Sequence, residues 1–128
     1  MFYVFGAGIS GLAATQFLLL QDPNSKVVVI DDNITLDYLV SNLASFKNLK
    51  LARSTDNFDI SDQDTLIPSP GISLDHHLIL KFIKSRANII SEVELALSTY
   101  TGTRIAITGT NGKSTTTAMC DYLLKQLN

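Results

Sequence analysis

The chain has 128 residues, 45% of them hydrophobic and 17% charged, with 10 Lys+Arg against 12 Asp+Glu for a formal charge of −2. That is room for one ordinary cored domain; the composition excludes a disordered or collagen-like chain, and the scattered basic residues give no patch for nucleic acid or an anionic membrane surface. A single cysteine, Cys120, excludes an internal disulfide and fits a cytoplasmic setting.

Met1 to Gln21 carry no charge, a run long enough for a membrane span. The run lacks the basic start of a signal peptide, however, and Gly6, Gly8, Ser10 and Gly11 break it near its beginning. It reads as a strand from Phe2 to Phe5, a glycine turn, and a helix from Ile9 to Leu20 closed by Asp22-Pro23-Asn24. Leu12, Phe17, Leu18, Leu19 and Leu20 are all expected in the core. Lys26 to Ile30 is a second strand, and its valine run predicts burial on both faces. After Thr35, a candidate N-cap, Leu36, Leu39, Val40, Leu43 and Phe46 fall at helical spacing, and Leu49 to Leu51 form a short third strand.

Arg53 to Asp64, with four aspartates, reads as a solvated loop. Thr65 to Ile67 form a strand running into Pro68-Ser69-Pro70-Gly71; Leu74, Leu78, Phe82 and Ile83 mark a helix to about Arg86; Asn88 to Ile90 form a fifth strand. This alternation predicts an α/β fold, a Rossmann-like doubly wound parallel sheet, over residues 1–92. From there the pattern restarts. Ser91 to Tyr100 is helix-like, Arg104 to Thr108 a strand, and a glycine loop opens a helix from Lys113 to Leu127. One strand and its helix cannot bury two sheet faces, so residues 93–128 are expected to be the truncated start of a second, P-loop ATPase domain.

Two glycine turns carry the chemistry. Gly6-Ala7-Gly8-Ile9-Ser10-Gly11 lies between a strand and a helix, where glycines permit a tight turn and the helix N-terminus offers N–H groups to a phosphate. Asp31 follows Gly11 by 20 residues, the place of the ribose-binding acid in NAD enzymes. Taken alone, this turn leaves NAD, another nucleotide and an unliganded packing turn all open. The second turn is Thr108-Gly109-Thr110-Asn111-Gly112-Lys113-Ser114-Thr115. Its backbone N–H groups suit a triphosphate, Lys113 the β and γ phosphates, and the Ser114 hydroxyl Mg²⁺. Ile107 stands where the general P-loop pattern has its first glycine. Of the remaining candidates, His76-His77 have no partner at ligand spacing and read as first-turn helix residues rather than a metal site. Cys120, among Met119, Leu123 and Leu124, reads as a small buried apolar residue.

The string from Ile107 to Thr116 resembles the ATP loop of the Mur ligases, ATP-dependent amide-forming enzymes of peptidoglycan (cell wall) synthesis. The N-terminal glycine turn, Ser69-Pro70-Gly71-Ile72 and Ser91-Glu-Val-Glu-Leu-Ala96 are similar to the branch that adds D-glutamate to UDP-N-acetylmuramoyl-L-alanine. The resemblance implies that the first domain holds the UDP-sugar rather than NAD, through Gly8, Ile9, Ser10, Asp31, Asp32, Ser69 and Gly71. Asp32-Asn33 stand where it implies a Thr-Arg pair. It also implies ATP and Mg²⁺ at Gly109, Thr110, Asn111, Gly112, Lys113, Ser114 and Thr115, with Lys113 stabilising the transferring phosphate on the way to an acyl phosphate that D-glutamate attacks. The family's further metal ligands, carbamylated lysine and amino-acid site follow the ATP loop. This 128-residue chain is therefore expected to be an N-terminal fragment, monomeric and inactive alone. The alternatives are an NAD-binding oxidoreductase module, a regulatory nucleotide-binding domain, or another Mur or folylpolyglutamate-type ligase; an oxidoreductase module has no use for a second phosphate loop.

Overall fold

The computed structural model describes residues 1–33, 43 and 48–127. Five strands, β1 (Phe2–Phe5), β2 (Val27–Ile30), β3 (Leu49–Ala52), β4 (Thr65–Pro68) and β5 (Asn88–Ile89), pair in the order β3-β2-β1-β4-β5, and every pairing is parallel. Among the described residues four helices accompany them: α1 (Ile9–Gln21), α2 (His77–Lys84), α3 (Glu92–Ser98) and α4 (Lys113–Gln126). The expected helix around residues 35–46 lies outside the described residues, except for Leu43, which is buried.

The all-apolar central strands produce two cores, because alternate residues of a strand face opposite sides. On one side Val4, Val27, Val29 and Ile67 meet Ala14, Leu18 and Leu19 of α1 and Leu95 of α3. On the other, Tyr3, Phe5, Val28, Ile30 and Leu66 meet Leu78, Ile79 and Phe82 of α2. Tyr3 stands edge-on to Phe82 and Phe58, with ring centroids 5.0 and 5.8 Å away. The sheet is thus covered on both faces, as the valine run predicts.

Several expectations are corrected. On α1 the buried stripe runs through Gly11, Ala14, Thr15, Leu18 and Leu19. Leu20, about 100° around the helix from Leu19, falls off that stripe and is 65% exposed. Leu74 lies outside α2 because His76 caps the helix, and both Leu74 and Ile83 are exposed; Ile79 takes the core position instead. α3 begins at a capping box, in which the Ser91 hydroxyl accepts from the Glu94 amide and the Glu94 carboxylate accepts from the Ser91 amide, and it packs Leu95 into the α1 core.

The expected strand at Arg104 to Thr108 is absent. Those residues pair with neither edge of the sheet, β3 or β5, and Ile105 is exposed. A strand has no stability without a ladder partner and a face to bury, and this segment has neither. The helix that follows it does form, as α4, but none of its residues is buried. Cys120 is therefore half-exposed rather than a core residue. No described helix is long and apolar enough to cross a membrane.

Candidate functional site

The strand order reverses at β1, which lies between β2 and β4, so a crevice opens beyond the carboxyl ends of β1 and β4 where their connections part to opposite faces. The glycine turn fills its β1 side. Gly6 has φ +100°, in the region that favours glycine, and a Cβ there would press on Ser69 at 3.0 Å. A Cβ on Gly11 would sit 1.8 Å from the Gly6 carbonyl oxygen, so the first turn of α1 and the end of β1 touch backbone to backbone. Gly8 differs from both: it is the N-cap of α1, provides no side-chain cap, and has open space where a Cβ would stand. Gly8, Ile9 and Ser10 are all exposed. The turn therefore presents a helix N-terminus whose own sequence leaves the approach clear, the arrangement that accepts an anion.

The β2 side supplies two carboxylates. Asp31 accepts from the Ala7 amide at 2.8 Å through one oxygen and from the Asn33 amide at 2.8 Å through the other. It braces the glycine turn from the neighbouring strand. Asp32 accepts from the Ser54 amide at 2.8 Å and the Ser54 hydroxyl at 2.6 Å. These two bonds outweigh the opposing effect of burial and hold its carboxyl below the ordinary carboxylate range, with smaller contributions in the same direction from Arg53 and His76. Ser54 is itself buried, although its segment reads as a solvated loop, and His77 Nε2 donates to its carbonyl at 3.1 Å.

On the β4 side the Ser69 hydroxyl lies 3.3 Å from the Gly6 carbonyl and 3.1 Å from Glu92 Oε1. Ser69 thereby joins the glycine turn to the start of α3. A cleft of about 250 Å³ opens among Phe5, Asp31, Asp32, Gly71, Ile72 and His76. Of the expected substrate residues, Asp31, Asp32 and Gly71 line this cleft. Ser69 lies beneath the turn against Gly6, and Ser10 faces a separate apolar groove with Phe17, Glu92 and Leu95. Sequence reasoning missed Ser54 and Glu92. Nothing about a serine after an arginine or a glutamate in the first turn of a helix distinguishes it from a surface residue until the fold brings it to Asp32 or Ser69.

The second turn opens α4. Gly109 and Gly112 have φ of +150° and +77°, and a Cβ on Gly112 would meet nothing within 4 Å. Lys113 Nζ donates back to the Gly109 carbonyl, while Gly109, Thr110, Asn111, Ser114 and Thr115 are exposed. These residues suit a phosphate chain: the glycines hold a loop that L side chains resist, the α4 N-terminus is uncapped by any side chain, and a lysine ammonium stands at its entrance. Among the described residues no group of three or more His, Cys, Asp or Glu is placed to hold a metal ion. None of residues 109–115 lines the strand-end cleft.

Residues 1–91 match the family described as Mur ligase MurD-like, N-terminal domain. Among curated proteins the chain is similar to UDP-N-acetylmuramoylalanine--D-glutamate ligase of Leuconostoc mesenteroides, 41% identical over 95% of this chain and 27% of the relative. It is likewise similar to the ligases of that name from Lachnospira eligens, 35% identical over 98% of this chain and 28% of the relative, and Trichlorobacter lovleyi, 32% identical over 95% and 27%. The chain thus spans little more than a quarter of the length of these relatives. No solved structure matches.

Proposed function

The chain belongs to the Mur ligase family through its MurD-like N-terminal domain, and on that premise we propose that residues 1–92 bind the nucleotide sugar UDP-N-acetylmuramoyl-L-alanine for a cytoplasmic, ATP-dependent ligase that adds D-glutamate to it in peptidoglycan synthesis. The observation that carries the reading is the open Gly8 at the α1 N-terminus, set beside a cleft lined by Asp31 and Asp32. The diphosphate lies against the amides at Gly8 and Ile9, where the helix dipole favours negative charge. The uridine lies on the carboxylate side, since carboxylates repel phosphate and accept N–H and O–H donors. Asp31 keeps the turn in shape through the Ala7 amide, and Ser69 keeps it docked on α3.

Residues 93–128 supply the nucleotide loop. Gly109, Thr110, Asn111, Gly112 and Thr115 would cradle the triphosphate of ATP, Lys113 would face its terminal phosphates and the Ser114 hydroxyl would ligate Mg²⁺. When bound, ATP supplies the phosphoryl group that activates the terminal carboxylate of the substrate for attack by the D-glutamate amine. We assign the ligase reaction to a polypeptide of the relatives' length, and to these residues substrate and nucleotide binding without turnover, as a monomer.

The names of the relatives and the second phosphate loop favour this reading over an NAD module. Amide ¹⁵N–¹H spectra test it: adding UDP-N-acetylmuramoyl-L-alanine is expected to shift Gly8, Ile9, Asp32 and Gly71 together. A spectrum unmoved at those amides overturns the assignment.

A further inference from the structure

Neither of the two histidines at the start of α2 belongs to a core cluster; His76 lines the cleft, and His77 bonds to Ser54 behind it. His76 is the N-cap of α2, and its Nδ1 accepts from the Leu78 amide at 3.2 Å. A ring nitrogen that accepts a hydrogen bond carries no hydrogen, so in the neutral ring the hydrogen is on Nε2, at the far edge from the helix. The ring is held in place by Phe5, edge-on at 4.9 Å, and by the His77 ring at 4.4 Å. It lines the same cleft as Asp32. Among the described residues, Nε2 has no hydrogen-bond partner. His77, next along, donates to the Ser54 carbonyl, and Ser54 donates twice to Asp32. One histidine thus positions the residue that holds the acceptor, while its neighbour presents a donor.

We propose that His76 Nε2–H and the Asp32 carboxylate together read the imide edge of a pyrimidine base, His76 donating to a ring carbonyl and Asp32 accepting from the adjacent ring N–H. This rests on the reading of the cleft as the uridine end of the nucleotide-sugar site and names the donor within it. A carboxylate alone accepts but cannot donate, and a ligand edge that alternates N–H and C=O needs both functions. The two Ser54 bonds leave Asp32 further lone pairs, because a carboxylate accepts through two oxygens with about four sites. Phe5 beneath the imidazole fixes the angle at which the donor meets the ligand. Ring orientation is set by contacts that exist without ligand, so little ordering is required on binding.

The test separates the cap from the donor. Asparagine is among the best N-cap residues, so His76→Asn preserves the start of α2 but removes the Nε2–H; His76→Ala removes both. Calorimetric titration with UDP-N-acetylmuramoyl-L-alanine is expected to show about a tenfold weaker Kd for H76N, the loss of one hydrogen bond, with Tm within about 2 °C of the parent. H76A is expected to lose both affinity and several degrees of Tm. In the parent, the His76 imidazole ¹⁵N signals are expected to show the Nε2–H tautomer and to shift when UDP is added, a result that does not depend on the variants folding. Parental affinity in a folded H76N, or an unmoved His76 ring on saturation with UDP, overturns the proposal while leaving the nucleotide-sugar site intact. A parent that binds neither compound overturns the site itself, and the proposal with it.

Discussion

A methyl group on Gly11 would lie 1.8 Å from the carbonyl oxygen of Gly6. No side-chain rotation relieves that contact, because both partners are backbone. The close approach seats α1 against the end of β1 and so aims the helix N-terminus at the strand-end crevice. Gly8, three residues earlier, meets nothing within 4 Å at the same imagined atom. The same turn therefore holds one glycine required by packing and one with open space beside it.

Gly11→Ala is accordingly expected to destabilise the chain by about 3 kcal/mol or more, beyond ordinary overpacking because backbone must move. Gly8→Ala is expected to leave Tm within a few degrees and to weaken UDP-sugar binding, since its methyl projects into the approach. Thermal melts and calorimetry on the pair check both statements; equal melting temperatures for the two variants contradict the division of roles.

Asp31→Ala removes the acceptor for the Ala7 and Asn33 amides at once. The loss is expected to cost about 1–3 kcal/mol, the range for charge-assisted bonds left unmade, and to lower ligand affinity in parallel as the turn loosens. Urea unfolding measures the first effect and titration the second.

Acid should destabilise the fold through two carboxyls. Asp32 is held low by the Ser54 bonds; Asp64 is pushed up by burial, but the Ser61 amide and hydroxyl and the Met1 ammonium, 3.0 Å away, outweigh this and bring it below its ordinary value. A carboxyl depressed on folding contributes stability that is complete above its unfolded pKa, about 3.9, and lost as the pH falls through the folded value. Unfolding free energy is therefore expected to level off above about pH 5 and to decline below about pH 4. In Asp64→Asn that decline should be shallower, from a lower plateau at neutral pH. A decline just as steep in the variant would remove Asp64 from the account.

The Lys113 ammonium donates to the Gly109 carbonyl of its own loop. Lys113→Ala is expected to leave Tm and UDP-sugar affinity unchanged and to abolish any ATP affinity that the loop displays. Parallel titrations of the variant with the UDP-sugar and with ATP check this; a change in UDP-sugar affinity would show that the two sites communicate.

The parts of the fold most legible in the sequence are those fixed by local chemistry. The run Val27 to Ile30 has only one stable setting, a strand covered on both faces, and the glycines at 6 and 11 announce a turn where backbones meet. What was not legible depends on neighbours. Leu20, Leu74 and Ile83 are as apolar as the residues that are buried, and only helix phase and the position of the His76 cap decide that they face solvent. Arg104 to Thr108 have the composition of a strand but no ladder to join. In the site, Asp31 and Asp32 are visible as acids after a strand, whereas Ser54 reaches Asp32 across 22 positions through a loop whose composition predicts nothing but solvation. His76 reads as a first-turn residue but stands one position earlier, as the N-cap of α2, and its place on the cleft becomes visible only when Phe5 lies beneath it.

The crevice beyond β1 and β4 is proposed as a UDP-sugar site and not an NAD site. Calorimetric titration of the chain with UDP-N-acetylmuramoyl-L-alanine, alongside a matched titration with NAD, tests it most directly. The account predicts saturable heat from the UDP compound that is lost in Gly8→Ala, and none from NAD. Saturable binding of NAD with a silent UDP compound would contradict it.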